Sequence, residues 1–255
     1  MCGIVSYVGP KDPVPILLKG LRRLEYRGYD SAGIALLNKN NLQCLKKAGK
    51  VSYLESIIDD SAINGFCGIA HTRWATHGEP SDINAHPHLD RKKKIALVHN
   101  GIIENYGAVK EVLQKRGISF TSATDSEVLV QLISELYYNS KEKLSFEDAV
   151  RAALQEVVGA YGIVVICEDE PGKIIAARMG SPLVLGVGEG EFLIASDASP
   201  IVEHTRNVIY LDDNELVSIK DEKFSISKID SKTIVNKTLT KIDLTIEEIE
   251  KGEYP

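Results

Sequence analysis

The sequence lacks paired cysteines. Its four, Cys2, Cys44, Cys67 and Cys167, show no CxxC spacing, and at 255 residues the chain far exceeds a disulfide-stapled mini-domain. They read as free thiols of a reducing cytosol, with Cys67 and Cys167 lying in apolar runs as inert core residues. Long apolar runs are also missing. None reaches membrane-spanning length and no targeting segment is visible, so a cytoplasmic protein without a membrane partner is expected. There is no surplus of positive charge: 30 Lys and Arg stand against 36 Asp and Glu, net −6, which argues against nucleic acid as a partner. The one basic run, Arg91 to Lys94, reads as a solvent-facing hairpin turn. Internal repeats and low-complexity tracts are absent.

What is present is a chain 44% hydrophobic, enough to bury the core of one domain or at most two. Short segments rich in Val and Ile, punctuated by Gly, Asp, Asn and Ser, predict strands at 2–8, 32–37, 67–71, 95–99, 162–167, 174–177, 183–187, 192–195, 208–211 and 215–219. Helical spacing marks Val14, Leu17, Leu18, Leu21 and Leu24, and again Val109, Val112 and Leu113, stopped by Gly117. A third helix holds Val128, Leu129, Leu132, Ile133 and Leu136, opened by Thr124-Asp125-Ser126-Glu127 with capping-box spacing. A fourth covers about 146–157. Strands that follow one another without helices predict antiparallel pairing, with helices on the outer faces of stacked sheets. From about Ser225 the composition turns polar. LTIEEIEK (244–251) predicts a short helix, and 226–255 reads as a C-terminal segment and the start of a linker after a domain at 2–225.

The opening MCGIVSYVG places a thiol beside the chain end. Cysteine is small, so removal of Met1 is expected. Cys2 then carries a free α-amino group, whose ordinary pKa is about 7.7–8.0. A thiol and a weak base on one residue form a nucleophile with its own general base. Gly3 permits close backbone approach, and the strand that follows would hold the pair rigid.

Four further segments follow in order: LRRLEYRGYDSAGIA (21–35), GIAHTRWATHGEPSDINAHPH (68–88), VHNGIIEN (98–105) and TDSEV (124–128). Together with the CGI start they resemble the class II glutamine amidotransferases, enzymes with an N-terminal cysteine nucleophile. The resemblance covers nearly the whole chain. Within the family it is similar to the branch whose glutaminase domain precedes a sugar-phosphate isomerase domain. It implies an α+β fold, the four-layer αββα sandwich of two stacked antiparallel sheets flanked by helices found in N-terminal-nucleophile hydrolases.

The resemblance also implies roles. Cys2 attacks the side-chain amide of L-glutamine, forming a γ-glutamyl thioester that water hydrolyses. The Asn100 side-chain amide and the Gly101 N–H are the oxyanion donors, and an Asn-Gly closing the apolar strand IALVH predicts a sharp turn with exposed donors. Arg73 takes the substrate carboxylate and Asp125 its ammonium. Thr76 and His77 are further substrate contacts, Trp74 gates ammonia, and Arg27 lies close to the nucleophile. No cofactor or metal is implied. In a full-length protein, expected to be a homodimer, ammonia passes to a C-terminal isomerase domain that binds fructose 6-phosphate.

Other readings stand beside this one. Five of six histidines lie between 71 and 99, close to Cys67, which suggests a metal site, but without a CxxC half or an HExxH motif. Arg73 could be an ordinary surface ion pair. Asp125 could serve only the helix dipole. A non-catalytic binding domain could share the fold. The glutaminase domain of another class II amidotransferase is the alternative within the family.

Overall fold

The computed structural model describes residues 2–38, 41–59, 63–74 and 78–242. Its strands are β1 (Gly3–Val8), β2 (Ser31–Leu37), β3 (Leu42–Ala48), β4 (Cys67–Arg73), β5 (His88–Leu89), β6 (Ile95–Ile103), β7 (Gly159–Cys167), β8 (Ile174–Met179), β9 (Val184–Val187), β10 (Phe192–Ala195), β11 (Asn207–Tyr210), β12 (Glu215–Lys220), β13 (Lys223–Lys228) and β14 (Thr240–Lys241). The helices are α1 (Pro13–Leu24), α2 (Val51–Asp59), α3 (Tyr106–Lys115), α4 (Asp125–Asn139) and α5 (Phe146–Glu156).

Two sheets form, in the orders β14-β11-β9-β10-β1-β4-β2-β3 and β13-β12-β8-β7-β6-β5. Every ladder between the described strands is antiparallel, as the sequence led us to expect. Successive side chains in a strand point to opposite faces, and here that alternation sorts three apolar layers. Ile4, Ala35, Leu37, Ile69, Ala96, Val98, Val164 and Ile166 meet between the sheets. Val5, Tyr7, Ile34 and Leu36 face the other way, onto Leu17, Leu21 and Leu24 of α1 and Leu54 of α2. Ile95, Leu97, Ile163 and Val165 pack against Leu129 and Ile133 of α4 and Phe146 and Val150 of α5. The result is the expected four-layer αββα sandwich.

Local chemistry sets the helix ends. Asp12 accepts a hydrogen bond from the Val14 amide, and Pro13 opens α1 where its missing N–H costs nothing. Gly117, at φ +79°, ends α3 in a Schellman arrangement: its N–H reaches the Gln114 carbonyl, and the Ile118 N–H reaches that of Leu113. Thr124 caps α4 by accepting from the Glu127 amide. The expected capping box is only half formed, because the Glu127 carboxylate turns to the Thr121 and Ser122 amides instead. Arg91 to Lys94 do form the tight connection of the β5–β6 hairpin, with the Asp90 carboxylate accepting from the Lys92, Lys94 and Ile95 amides.

Several elements had no clear pattern in the sequence. β3 is an edge strand, half-buried throughout and rich in lysine, so it lacks a clean alternation. β5 and β14 are two residues each, and β13 is a largely polar edge strand. β13 and β14 extend the two sheets past residue 225. The helix expected at 244–251 lies outside the described residues.

Candidate active site

The strand parity that builds the core also builds the site. On β4, Cys67 and Ile69 face the space between the sheets, so His71 and Arg73 share that parity. On β6, Ala96 and Val98 do the same, and Asn100 follows them. Ile4 is inward on β1, which gives Cys2 the inward position. One end of the inter-sheet layer thus collects a thiol, a guanidinium, an imidazole and an amide from three strands. β1 and β4 pair with Gly3 opposite Thr72, so Cys2 lies beside the residues that leave β4. The Trp74 N–H donates to Cys2 Sγ at 3.1 Å, and the Trp74 carbonyl lies 3.5 Å from the same sulfur.

A cavity of about 370 Å³ opens here. Cys2, Arg27, Arg73, Trp74, Asn100, Gly101 and Asp125 all line it, so seven of the nine expected site residues converge. Thr76 and His77 lie outside the described residues.

The Asn100 side chain bridges the sheets. Its Nδ2 donates to the Cys2 carbonyl at 3.1 Å, and its Oδ1 lies 2.9 Å from His71 Nε2. Gly101 corrects an expectation: Asn100-Gly101 is not a turn. β6 runs on to Ile103, pairing Asn100 with Gly162 and Gly101 with Tyr161. The strand continues because Gly101 takes φ +130°, where a Cβ would stand 2.0 Å from the Ala160 carbonyl oxygen. Asn100 and Gly101 thus sit on a paired strand rather than in a loop.

Arg73 is only 4% exposed and is no surface ion pair. Its Nη2 donates to the Gly78 carbonyl at 3.0 Å, and Asp30 lies 3.8 Å from Nη1. Asp125 is the first residue of α4 and is 5% exposed. Its Oδ2 accepts from the Ile103 N–H at 2.8 Å, which ties the helix start to the end of β6. The helix dipole favours an acid at this position, and the same position aims the carboxylate into the cavity. Trp74 is 53% exposed and lies against Gly28, where a Cβ would come within 2.5 Å of the indole. Arg27 pairs with Asp197 at 2.6 Å.

Burial pushes the Cys2 thiol above its ordinary pKa, opposed by the Trp74 amide. Of the four free thiols, only Cys2 lines this cavity. Cys67 and Cys167 are buried as expected, and burial pushes both up to about 12.

The motifs assign no catalytic role to His71, His86, His88 and His99, whose clustering suggested only a metal site. All four are buried. The His71 and His86 rings lie 4.2 Å apart between centres at a tilt of 44°, and His86 meets His88 edge-on at 4.7 Å. His88 Nε2 lies 3.0 Å from the Thr124 hydroxyl, and His99 Nδ1 lies 2.9 Å from the Ser126 hydroxyl. His86 and His99 also line the cavity, with Ile102, Thr124, Ser126, Ser181 and Pro182. Among the described residues, no three His, Cys, Asp or Glu side chains are grouped to hold a metal ion. The available signal was parity: His71 alternates with inward residues of β4, and His99 with the Ile95 and Leu97 that face α4.

A family profile described as a glutamine amidotransferase domain matches residues 59–242. The chain belongs to that family. It is 52% identical over 257 residues to glutamine–fructose-6-phosphate aminotransferase (isomerizing) of Chlorobaculum tepidum, and 51% identical over the same length to that of Bacteroides thetaiotaomicron. Both alignments cover 100% of this chain and 41% of the relative, so the chain spans about two-fifths of their length. Among solved structures it is similar to the glutamine phosphoribosylpyrophosphate amidotransferase of B. subtilis, complexed with ADP and GMP. The TM-score is 0.78 at 26% identity, over 90% of this chain and 50% of that one. The paired antiparallel sheets with flanking helices are thus the N-terminal-nucleophile hydrolase fold of the amidotransferases.

Proposed function

We propose that this chain hydrolyses L-glutamine to glutamate and ammonia, with Cys2 as nucleophile. The observation that carries the reading is the Asn100 amide nitrogen held 3.1 Å from the Cys2 carbonyl, in one cavity with Arg73 and Asp125. The buried thiol enters the reaction protonated. Once Met1 is removed, the α-amine of Cys2 accepts that proton as sulfur bonds to the amide carbon. The Asn100 Nδ2–H and Gly101 N–H donate to the oxyanion. The tetrahedral intermediate collapses with the proton returned to nitrogen, and ammonia leaves a γ-glutamyl thioester. Water, activated by the same amine, releases glutamate and restores the thiol.

Arg73 binds the α-carboxylate through its fork and Asp125 the α-ammonium. Both are buried, so each charge acts with little solvent screening. Trp74, half-exposed at the rim, gates the product ammonia. Thr76 and His77 contact substrate, and Arg27, braced by Asp197, shapes the wall nearest the nucleophile.

The proposed site lies within residues 2–225; β13 and β14, which reach past that point, still belong to the two sheets, and the remainder of 226–255 leads toward a further domain. We place the whole protein with the relatives at 52% identity rather than the phosphoribosylpyrophosphate enzymes at 26%. It is then a cytoplasmic homodimer whose isomerase domain receives ammonia and converts fructose 6-phosphate to glucosamine 6-phosphate. The test is ammonia release from glutamine by the chain and by its Cys2→Ala variant. Release that depends on Cys2 supports the reading, and equal release by both contradicts it.

A further inference from the structure

We infer that His71 is a positioning residue of the oxyanion hole: its Nε2–H holds the Asn100 carboxamide in the one orientation that turns Nδ2 toward Cys2. The inference rests on the glutaminase reading above and assigns a residue that reading leaves idle. A carboxamide has two ends of nearly equal shape, one that donates and one that accepts. Flipped by half a turn, Asn100 would present an oxygen to the reacting centre and repel the oxyanion.

Two contacts fix the choice. The Cys2 carbonyl can only accept, so the group 3.1 Å from it must be the amide nitrogen. The oxygen then faces His71 Nε2 at 2.9 Å, which requires a proton on that nitrogen. The other ring nitrogen, Nδ1, is buried and makes no hydrogen bond of good geometry among the described residues; the His99 backbone near the ring also favours a ring N–H, but the well-formed contact is the one from Nε2 to Asn100. Burial pushes the His71 pKa down to about 3, so the ring carries a single proton at neutral pH. That proton belongs on Nε2, the nitrogen with the well-formed acceptor contact.

A second layer supports the first. His86 Nδ1 lies 3.3 Å from His71 Nε2 and accepts from the His99 N–H at 3.4 Å. It is therefore unprotonated, and it cannot force His71 Nε2 into the acceptor state. The His86 ring, tilted 44° to that of His71 with centres 4.2 Å apart, also packs against it. The lock joins the sheets: His71 comes from β4, Asn100 from β6, and Cys2 precedes β1. An isolated hydrogen bond contributes modestly, but a flipped amide replaces an attraction with a repulsion.

The experiment is a double-mutant cycle on glutamine turnover, run with His71→Leu, His71→Gln, Asn100→Ala and the pair His71→Leu/Asn100→Ala. His71→Leu should lower kcat about tenfold or more, roughly the loss of one hydrogen bond converted to rate. The KM for glutamine should stay near the starting value, because Arg73 and Asp125 are untouched. His71→Gln restores a donor and should recover much of the rate. In the Asn100→Ala background, His71→Leu should change kcat by no more than about twofold. Equal losses in both backgrounds would overturn the inference and assign His71 to packing alone. Absence of turnover in the unaltered chain would instead count against the glutaminase reading.

A measurement that needs no substitution closes the gap should His71→Leu not fold. Nitrogen-15 NMR of the unaltered chain reports which ring nitrogen of His71 is protonated. The Nε2–H tautomer supports the lock, and the Nδ1–H tautomer overturns it, since Nε2 could then donate nothing to Asn100.

Discussion

Gly101 passes so close to Ala160 that a Cβ on the glycine would stand 2.0 Å from the Ala160 carbonyl oxygen. The neighbouring strand pays the same geometry back, since a Cβ at Gly159 would lie 2.1 Å from the Ile102 oxygen. Two glycines at φ +130° and +136° thus kink paired strands where the proposed oxyanion donors sit. Gly101→Ala is expected to cost on the order of 1–3 kcal/mol in backbone strain. It should also move the N–H and lower turnover by roughly 10²-fold or more, as for one lost donor. Turnover and denaturant midpoint, measured together, check this. Full activity at unchanged stability would show that the close approach is not needed.

Asn100→Ala removes the side-chain donor but leaves the strand geometry in place. The expected loss in kcat is about 10² to 10³, with little change in KM. Steady-state kinetics decide it, and unchanged kcat would remove Asn100 from the mechanism.

Asp125→Asn separates ligand binding from helix support. An Asn oxygen can still accept from the Ile103 N–H, now bonded to Asp125 Oδ2 at 2.8 Å, so α4 should stay anchored to β6. The negative charge for the substrate ammonium is gone. KM for glutamine should rise about tenfold or more, the range for a lost charge-assisted bond, with a small shift in Tm. A large fall in Tm at normal KM would make Asp125 a purely structural residue.

The buried histidines set an acid limit on stability. Burial lowers the pKa values of His71, His86, His88 and His99, with His71 at about 3. In the unfolded chain each takes a proton near its ordinary value of about 6.5. Below that value the unfolded state binds more protons than the folded state, so stability falls as pH falls toward the folded pKa values. Urea midpoints should drop between about pH 7 and pH 5. His88→Gln, which removes one titrating ring, should make the slope shallower. A flat profile over that range would mean that these rings take up protons in the fold as readily as in the unfolded chain.

Much of the candidate site was legible because the proposed chemistry calls for particular residue types in a fixed order. Cys2, Arg73, Asn100, Gly101 and Asp125 could be named from motifs, and the sheets gathered them. The shape of Gly101 was not legible. Asn-Gly is a strong turn signal, and only the close approach to Ala160 on β7 turns it into a strand kink. The histidines were missed for a related reason. Their spacing along the chain suggested a metal, whereas the contacts they make depend on which strands lie side by side and which face each ring takes. Parity held that information for His71 and His99, but only once the ends of β4 and β6 were known. The half-formed capping box at Thr124 has the same origin, because the claim of Thr121 and Ser122 on Glu127 is set by the fold of the loop before α4.

The most direct measurement is an intact mass spectrum of the chain after incubation with an electrophilic glutamine analogue, followed by peptide mapping. The expected result is a chain without its initiator methionine that carries one adduct, on Cys2, and is protected by excess glutamine. A chain without methionine that takes no adduct, or takes it on Cys44, would contradict Cys2 as the nucleophile of a formed glutamine site.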